Sequence, residues 1–255
     1  DGAVAANKAL ARSLNIPMVR LLNEYGLSKF QGDLRQLGLS TLHKPATYYG
    51  LSLILGGAEA RLDELNAAYL NLAQQLKQDK TKPLSFLRDV RKGKKNKRQE
   101  KRGATGLQNR ACIYTTFEAM VDVNRPDEDG NWRAFASAQK IAWKTGTSFG
   151  FRDAWAIGVT PEYVVAVWIG NADGEGRPGL TGIKAAAPLL FDLFGQLPKS
   201  AQWFEMPRKE YARVPVCIES GHRALPQCEK ADTALIPVSC LGAQACPYHQ
   251  IIHLN

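Results

Sequence analysis

The sequence predicts an α+β chain, an antiparallel sheet flanked by helices, and three observations carry that reading. Apolar residues recur at helical intervals in the first third of the chain. Short β-branched and aromatic runs begin at residue 140, and an apolar cluster with an early proline follows them.

Taken in order, the first segment carries Leu10, Leu14, Val19, Leu21 and Leu22 but is interrupted by Pro17. A residue preceding proline is pushed out of the α region, so one helix is expected to end near Ser13 and another to start at Pro17, leaving Ser13-Leu14-Asn15 in a bend. After Gly56-Gly57, the spacing of Leu62, Leu65, Tyr69, Leu72 and Leu76 predicts a further helix. The runs Ile141-Ala142-Trp143, Ala154 through Val159 and Tyr163 through Ile169 predict strands; Thr160-Pro161-Glu162 reads as the hairpin turn of a meander. Residues 185–197 predict a helix with Pro188 in its first turn. The texture becomes richer in Pro and Cys near residue 205, which divides the chain into residues 1–205 and a tail, 206–255.

Composition bounds the class. Among 255 residues, 45% are hydrophobic and 22% charged, which excludes a mainly disordered chain. No apolar run approaches the ~18 residues of a membrane span, and the start at Asp1, without Met, reads as a piece of something longer. The net charge of +9 is confined to residues 77–102, where twelve basic residues face three acidic ones. From 91 to 102 there is no aromatic residue to stack on bases and no apolar period. Residues 77–103 therefore read as a solvated basic insertion loop, ahead of contact with anionic lipid or with nucleic acid.

Chemistry concentrates in Lys144-Thr145-Gly146-Thr147-Ser148. A strand edge bearing a lysine, then a residue without a side chain, then a hydroxyl lets an extended peptide lie alongside while an ammonium and two hydroxyls face its carboxylate end. Ser13-Leu14-Asn15 is weaker by itself, since Ser or Asn beside a helix is often a cap. Only the combination is selective.

Ser-x-Asn followed about 130 residues later by Lys-Thr-Gly-Thr resembles the penicillin-recognising signature whose first member is Ser-x-x-Lys. The wider text resembles class A penicillin-binding proteins: Ala9-Leu10-Ala11-Arg12-Ser13-Leu14-Asn15-Ile16-Pro17, and Tyr49-Gly50-Leu51-Ser52-Leu53-Ile54-Leu55-Gly56-Gly57. Residues 142–155 are similar to the 1C branch in particular, as are Trp168-Ile169-Gly170-Asn171, Arg177-Pro178-Gly179-Leu180-Thr181-Gly182 and Cys246-Pro247-Tyr248-His249. The similarity covers residues 1–76 and 104–250 and leaves the insertion outside.

The resemblance implies an incomplete transpeptidase fold of the penicillin-binding and serine β-lactamase type. It also implies a periplasmic enzyme of the bacterial inner membrane that crosslinks peptidoglycan stem peptides through a serine acyl-enzyme and reacts with β-lactams. The family adds a glycosyltransferase acting on lipid-linked disaccharide, and wall-synthesis proteins are possible partners. Neither nucleic acid nor a cofactor for transpeptidation is expected.

Carried over residue by residue, Ser13 resembles the proton-relay hydroxyl, Asn15 the donor to the substrate amide carbonyl, and Lys144 the cation that tunes Ser13 and draws in the carboxylate. Thr145 and Thr147 resemble the carboxylate-binding hydroxyls around Gly146, and the Thr147 N–H one half of an oxyanion hole. The family places its nucleophile well ahead of Ser13, where this sequence has twelve residues. Its one Ser-x-x-Lys, Ser137-Ala138-Gln139-Lys140, stands in the reverse order and reads as a decoy. The isolated chain is therefore expected to contribute half a site and to be inactive. A catalytically silent relative that binds peptidoglycan or partner proteins is the alternative.

Cys112 stands alone and is expected to be a small buried apolar residue. In the tail, Cys217, Cys228, Cys240 and Cys246 lack Cys-x-x-Cys spacing, so two disulfides and no metal are the primary expectation. A zinc site in which His249 takes part and free thiols are the alternatives. Pairing Cys217 with Cys228 and Cys240 with Cys246 closes short local loops. His43, His222 and His253 read as structural or surface residues, and Arg152-Asp153 as a pair holding the strand turn.

Overall fold

The computed structural model describes residues 4–77, 109–123, 139–200, 202–242 and 244–249. The basic insertion, apart from Lys77, lies outside them, as do Ser137 and His253.

The helical part opens with α1 (Ala6–Ala11), α2 (Asn15–Tyr25) and α3 (Leu27–Leu37), then a short α4 (Ala46–Tyr49) running into a 3-10 turn, and α5 (Leu62–Leu76). Helix α2 begins two residues before the expected start at Pro17, so Asn15 belongs to the helix rather than the bend. Pro17 is tolerated at its third position because the first N–H groups of a helix have no intrahelical partner to lose. Helix α3 was not expected, although Leu27, Phe30, Leu34 and Leu37 form a stripe that packs on Leu39, Leu42, Tyr49, Leu53 and Ala68. Gly38, at φ 108, ends it in the left-handed region.

Helix α6 (Arg110–Val121) starts where the Asn109 side chain accepts a hydrogen bond from Cys112 N at 3.0 Å. Strands β1 (Ala142–Thr147), β2 (Asp153–Val159) and β3 (Val164–Gly170) form an antiparallel sheet in the order β1-β2-β3. The hairpin falls at residues 160–163, where Thr160 N donates to Tyr163 O. A π turn at Gly182–Ala186 leads into α7 (Ala187–Gln196), with Pro188 in its first turn as expected.

Alternation along the strands buries both faces of the sheet. Ala142 and Val159 join Phe117, Met120 and Val121 of α6 and Ala73 and Leu76 of α5 on one face. Trp143, Ala154, Ala156 and Val167 pack on Leu190 and Phe194 of α7 on the other. Trp143 is fully buried, and its indole N–H donates to Val123 O at 3.1 Å. A Cβ at Gly158 would stand 2.5 Å from the Phe194 ring, so close approach of α7 requires glycine there.

Beyond residue 205, β4 (Tyr211–Cys217) and β5 (Ala231–Pro237) form a two-stranded antiparallel hairpin. It meets α6 through polar contacts: Tyr211 OH donates to Ala111 O at 2.8 Å, and Asn109 Nδ2 donates to Ser239 Oγ at 2.7 Å. The α+β class and antiparallel meander expected from the sequence are both present.

Candidate active site

Helix α1 ends in a Schellman motif. Leu14 N donates to Ala9 O at 2.9 Å and Ser13 N to Leu10 O at 3.1 Å, which places Ser13 at the left-handed position that glycine usually fills. Its φ is 53, one of two positive values at non-glycine positions among the described residues. Left-handed backbone costs an L-residue roughly 1–2 kcal/mol, so a serine here runs against local preference. It caps no helix: the start of α2 has no side-chain cap, and Ser13 Oγ instead accepts a hydrogen bond from Lys144 Nζ at 2.5 Å.

Lys144 reaches Ser13 because β1 directs its even-numbered side chains to the face covered by α5 and α6, and α1 packs on α6. The ammonium also donates to Thr145 O at 3.0 Å. Burial pushes its pKa below the ordinary lysine value.

Strand β1 is an edge, with no strand paired on its outer side among the described residues. Ser148 N bonds to Asp153 O at 3.0 Å, so the alternation of antiparallel pairs turns the backbone groups of Thr145 and Thr147 outward. Thr147 Oγ1 accepts from Gly182 N at 3.0 Å, which holds the exposed threonine while leaving its hydroxyl proton free to donate. Gly182 lies against the sheet so closely that a Cβ would be 2.5 Å from Gly146 O and 2.6 Å from Trp155 O. At Gly146, by contrast, a Cβ would stand 3.5 Å from Trp155 Cβ, an ordinary contact. Packing therefore does not require that glycine. Asn15 is exposed on the first turn of α2.

Lys140 of the decoy motif is engaged elsewhere. It pairs with Glu118 at 2.7 Å and lies over the Trp203 ring at 4.6 Å. Asp153 does not pair with Arg152 but accepts the Trp168 indole N–H at 2.8 Å.

The tail corrects the cysteine expectations. All five thiols are free, so neither expected disulfide is formed. Cys217 closes β4, whereas Cys240 lies past the far end of β5, a seven-residue strand that carries it about 23 Å away. A bridge from Cys240 to Cys246, near Cys217, is out of reach. Cys240 and the half-buried Cys112 both approach Ser239, so Cys112 is neither alone nor fully buried. The ligand atoms of Cys217, Cys228, Cys246 and His249 lie within 4.8 Å of one another, an arrangement that could hold an ion. His43 is exposed, and the His222 ring is engaged with Ser220 O at 2.9 Å.

No protein-family model matches the chain. It is 35% identical over 229 residues to penicillin-binding protein 1C of Escherichia coli, covering 89% of this chain and 27% of that protein. It is 30% identical over 191 residues to penicillin-binding protein 1B of Vibrio cholerae, covering 72% of this chain and 23% of that one. The chain thus spans about a quarter of the length of the curated relatives it matches. The crystal structure of penicillin-binding protein 1A from Haemophilus influenzae superposes with a TM-score of 0.62 at 16% identity, covering 94% of this chain and 40% of that one, which shows the fold. With the fold shared and the similarity to the 1C protein running through nearly the whole sequence, this chain belongs to the class A penicillin-binding proteins.

Proposed function

We propose that the chain supplies half of the active site of a serine-type D-Ala-D-Ala transpeptidase that crosslinks peptidoglycan stem peptides and is acylated by β-lactams. The observation that carries this reading is the 2.5 Å contact between Lys144 Nζ and Ser13 Oγ. A desolvated amine hydrogen-bonded to a hydroxyl is a proton relay, able to take a proton from an attacking serine and return it to a leaving amine. Asn15 would hold the substrate amide carbonyl. Thr145 and Thr147 would bind the terminal carboxylate, and the outward Thr147 N–H would donate to the oxyanion. An extended stem peptide would lie along the edge of β1 as an added strand.

The nucleophile would come from a Ser-x-x-Lys ahead of Ser13 in the intact protein, and this chain alone would form no acyl-enzyme. The intact protein would sit on the periplasmic side of the bacterial inner membrane, with a glycosyltransferase acting on lipid-linked disaccharide, and transpeptidation would need no cofactor. Among the described residues, no helix is long and apolar enough to cross a membrane. Labelling with a fluorescent penicillin tests the proposal. The intact protein should be labelled, Lys144→Ala and Ser13→Ala should slow labelling by roughly 10²-fold or more, and this chain alone should stay unlabelled. An unlabelled intact protein would favour the silent peptidoglycan-binding relative.

A further inference from the structure

We infer that Cys217, Cys228, Cys246 and His249 bind a single zinc ion, and that this ion is the structural centre of the β4–β5 tail. Three soft sulfur donors and one imidazole form a set suited to tetrahedral zinc, and four protein ligands leave no open position for a substrate.

The spacing of the donors fits. Zinc–sulfur and zinc–nitrogen bonds of ~2.3 and ~2.0 Å at tetrahedral angles put sulfur and nitrogen about 3.5 Å apart. His249 Nδ1 lies 3.6 Å from Cys217 Sγ and 3.3 Å from Cys246 Sγ. The other ring nitrogen, Nε2, is 3.3 Å from Glu219 Oε2. A carboxylate on Nε2 holds the proton there and turns the Nδ1 lone pair toward the sulfurs, the arrangement that orients a metal-bound histidine.

Each ligand is held by its own piece of backbone. Cys217 ends β4 and enters a tight turn in which Gly221 N donates to its carbonyl at 2.8 Å and its own N–H donates to His222 O at 2.8 Å. Cys228 N bonds to Leu225 O at 2.9 Å, and Cys246 N bonds to Arg223 O at 2.9 Å. The His249 carbonyl accepts from Gln227 Nε2 at 3.0 Å. Two of the sulfurs sit in the most enclosed part of the tail, with Cys217 0% and Cys246 3% exposed.

The tail also lacks another centre. From residue 206 onward, Pro207 and Val214 are the buried hydrocarbon side chains among the described residues; the others buried there are Cys217, Ser220 and Cys246. A unit this small without an apolar core needs a crosslink or a metal. Binding would release three thiol protons to solvent and form three zinc–thiolate bonds and one zinc–imidazole bond, so the metal's affinity becomes folding free energy of the hairpin.

Elemental analysis of the intact protein, purified without added metal or chelator, tests the inference. One equivalent of zinc is expected, lost in Cys217→Ser and Cys246→Ser but retained in Cys112→Ser and Cys240→Ser. Because the ligand variants could misfold, the wild-type protein provides the second measurement. Titrating its thiols with a mercurial should release zinc in step with three cysteines, and cobalt substitution should give thiolate-to-metal charge-transfer bands. Glu219→Gln should weaken zinc binding by about 10–100-fold. Zinc-free protein, a disulfide joining any two of Cys217, Cys228 and Cys246 in non-reduced peptides, or zinc that persists in both ligand variants would overturn it.

Discussion

Ser13 and Lys144 are 131 positions apart and in hydrogen-bond contact at 2.5 Å, and the serine pays for that contact with a left-handed backbone at the end of α1. The position favours glycine locally, whereas the proposed proton relay needs a hydroxyl, so stability and activity should respond in opposite directions. Ser13→Gly is expected to stabilise the intact protein by about 1 kcal/mol through relief of the left-handed strain. It should also slow β-lactam acylation roughly 10²-fold through loss of the relay. Denaturant melts and penicillin labelling of the same preparation check both; full-speed acylation by the glycine variant would end the assignment of Ser13.

Lys144 gives a pH signature. Its pKa in the folded protein is lowered by burial, while the unfolded chain keeps the ordinary value of 10.5. Between the two, the unfolded state binds more protons, so this group's contribution to stability rises as pH rises through the window and levels off above 10.5. Lys144→Met should remove that component. The difference in unfolding free energy between wild type and variant, followed from neutral to alkaline pH, is the measurement; a difference that stays flat would mean the amine is not desolvated.

Two glycines beside the site should behave oppositely. At Gly182 a Cβ would collide with Gly146 O and Trp155 O, neither of which is a flexible side-chain end. Gly182→Ala is expected to cost about 1–3 kcal/mol and to shift β1. Gly146→Ala has room behind it and should leave the melting temperature within error, yet it should slow acylation because its methyl group would project from the face of β1 that carries Lys144. Thermal melts paired with labelling separate the two cases.

Trp143 anchors β1 from the other side. Trp143→Ala is expected to cost about 3–5 kcal/mol, from the cavity it leaves. Trp143→Phe should cost about 1–3 kcal/mol, chiefly because Val123 O loses its indole partner. Chemical denaturation monitored by circular dichroism would show whether that order holds.

Features that depend only on neighbouring residues were legible in the amino-acid order. Turn residues between two β-branched runs specify the β2–β3 hairpin, an early Pro188 and an apolar cluster specify α7, and Lys144-Thr145-Gly146-Thr147 marks the strand edge. Helix α6 escaped because Ala111, Ile113, Phe117, Ala119, Met120 and Val121 are buried around much of its circumference, which erases the stripe that periodicity detects. Which distant groups meet depends instead on the packed fold. Ser13 became a partner of Lys144, rather than a cap, when α1 packed on α6 beside β1. Cys240 was separated from Cys246 by the length of β5, while Cys217, Cys228 and His249 converged through loops whose paths no local pattern encodes. Both cases have one cause: local propensity sets the direction of the chain over a few residues, but the meeting of side chains across a fold is set by the packing of whole elements.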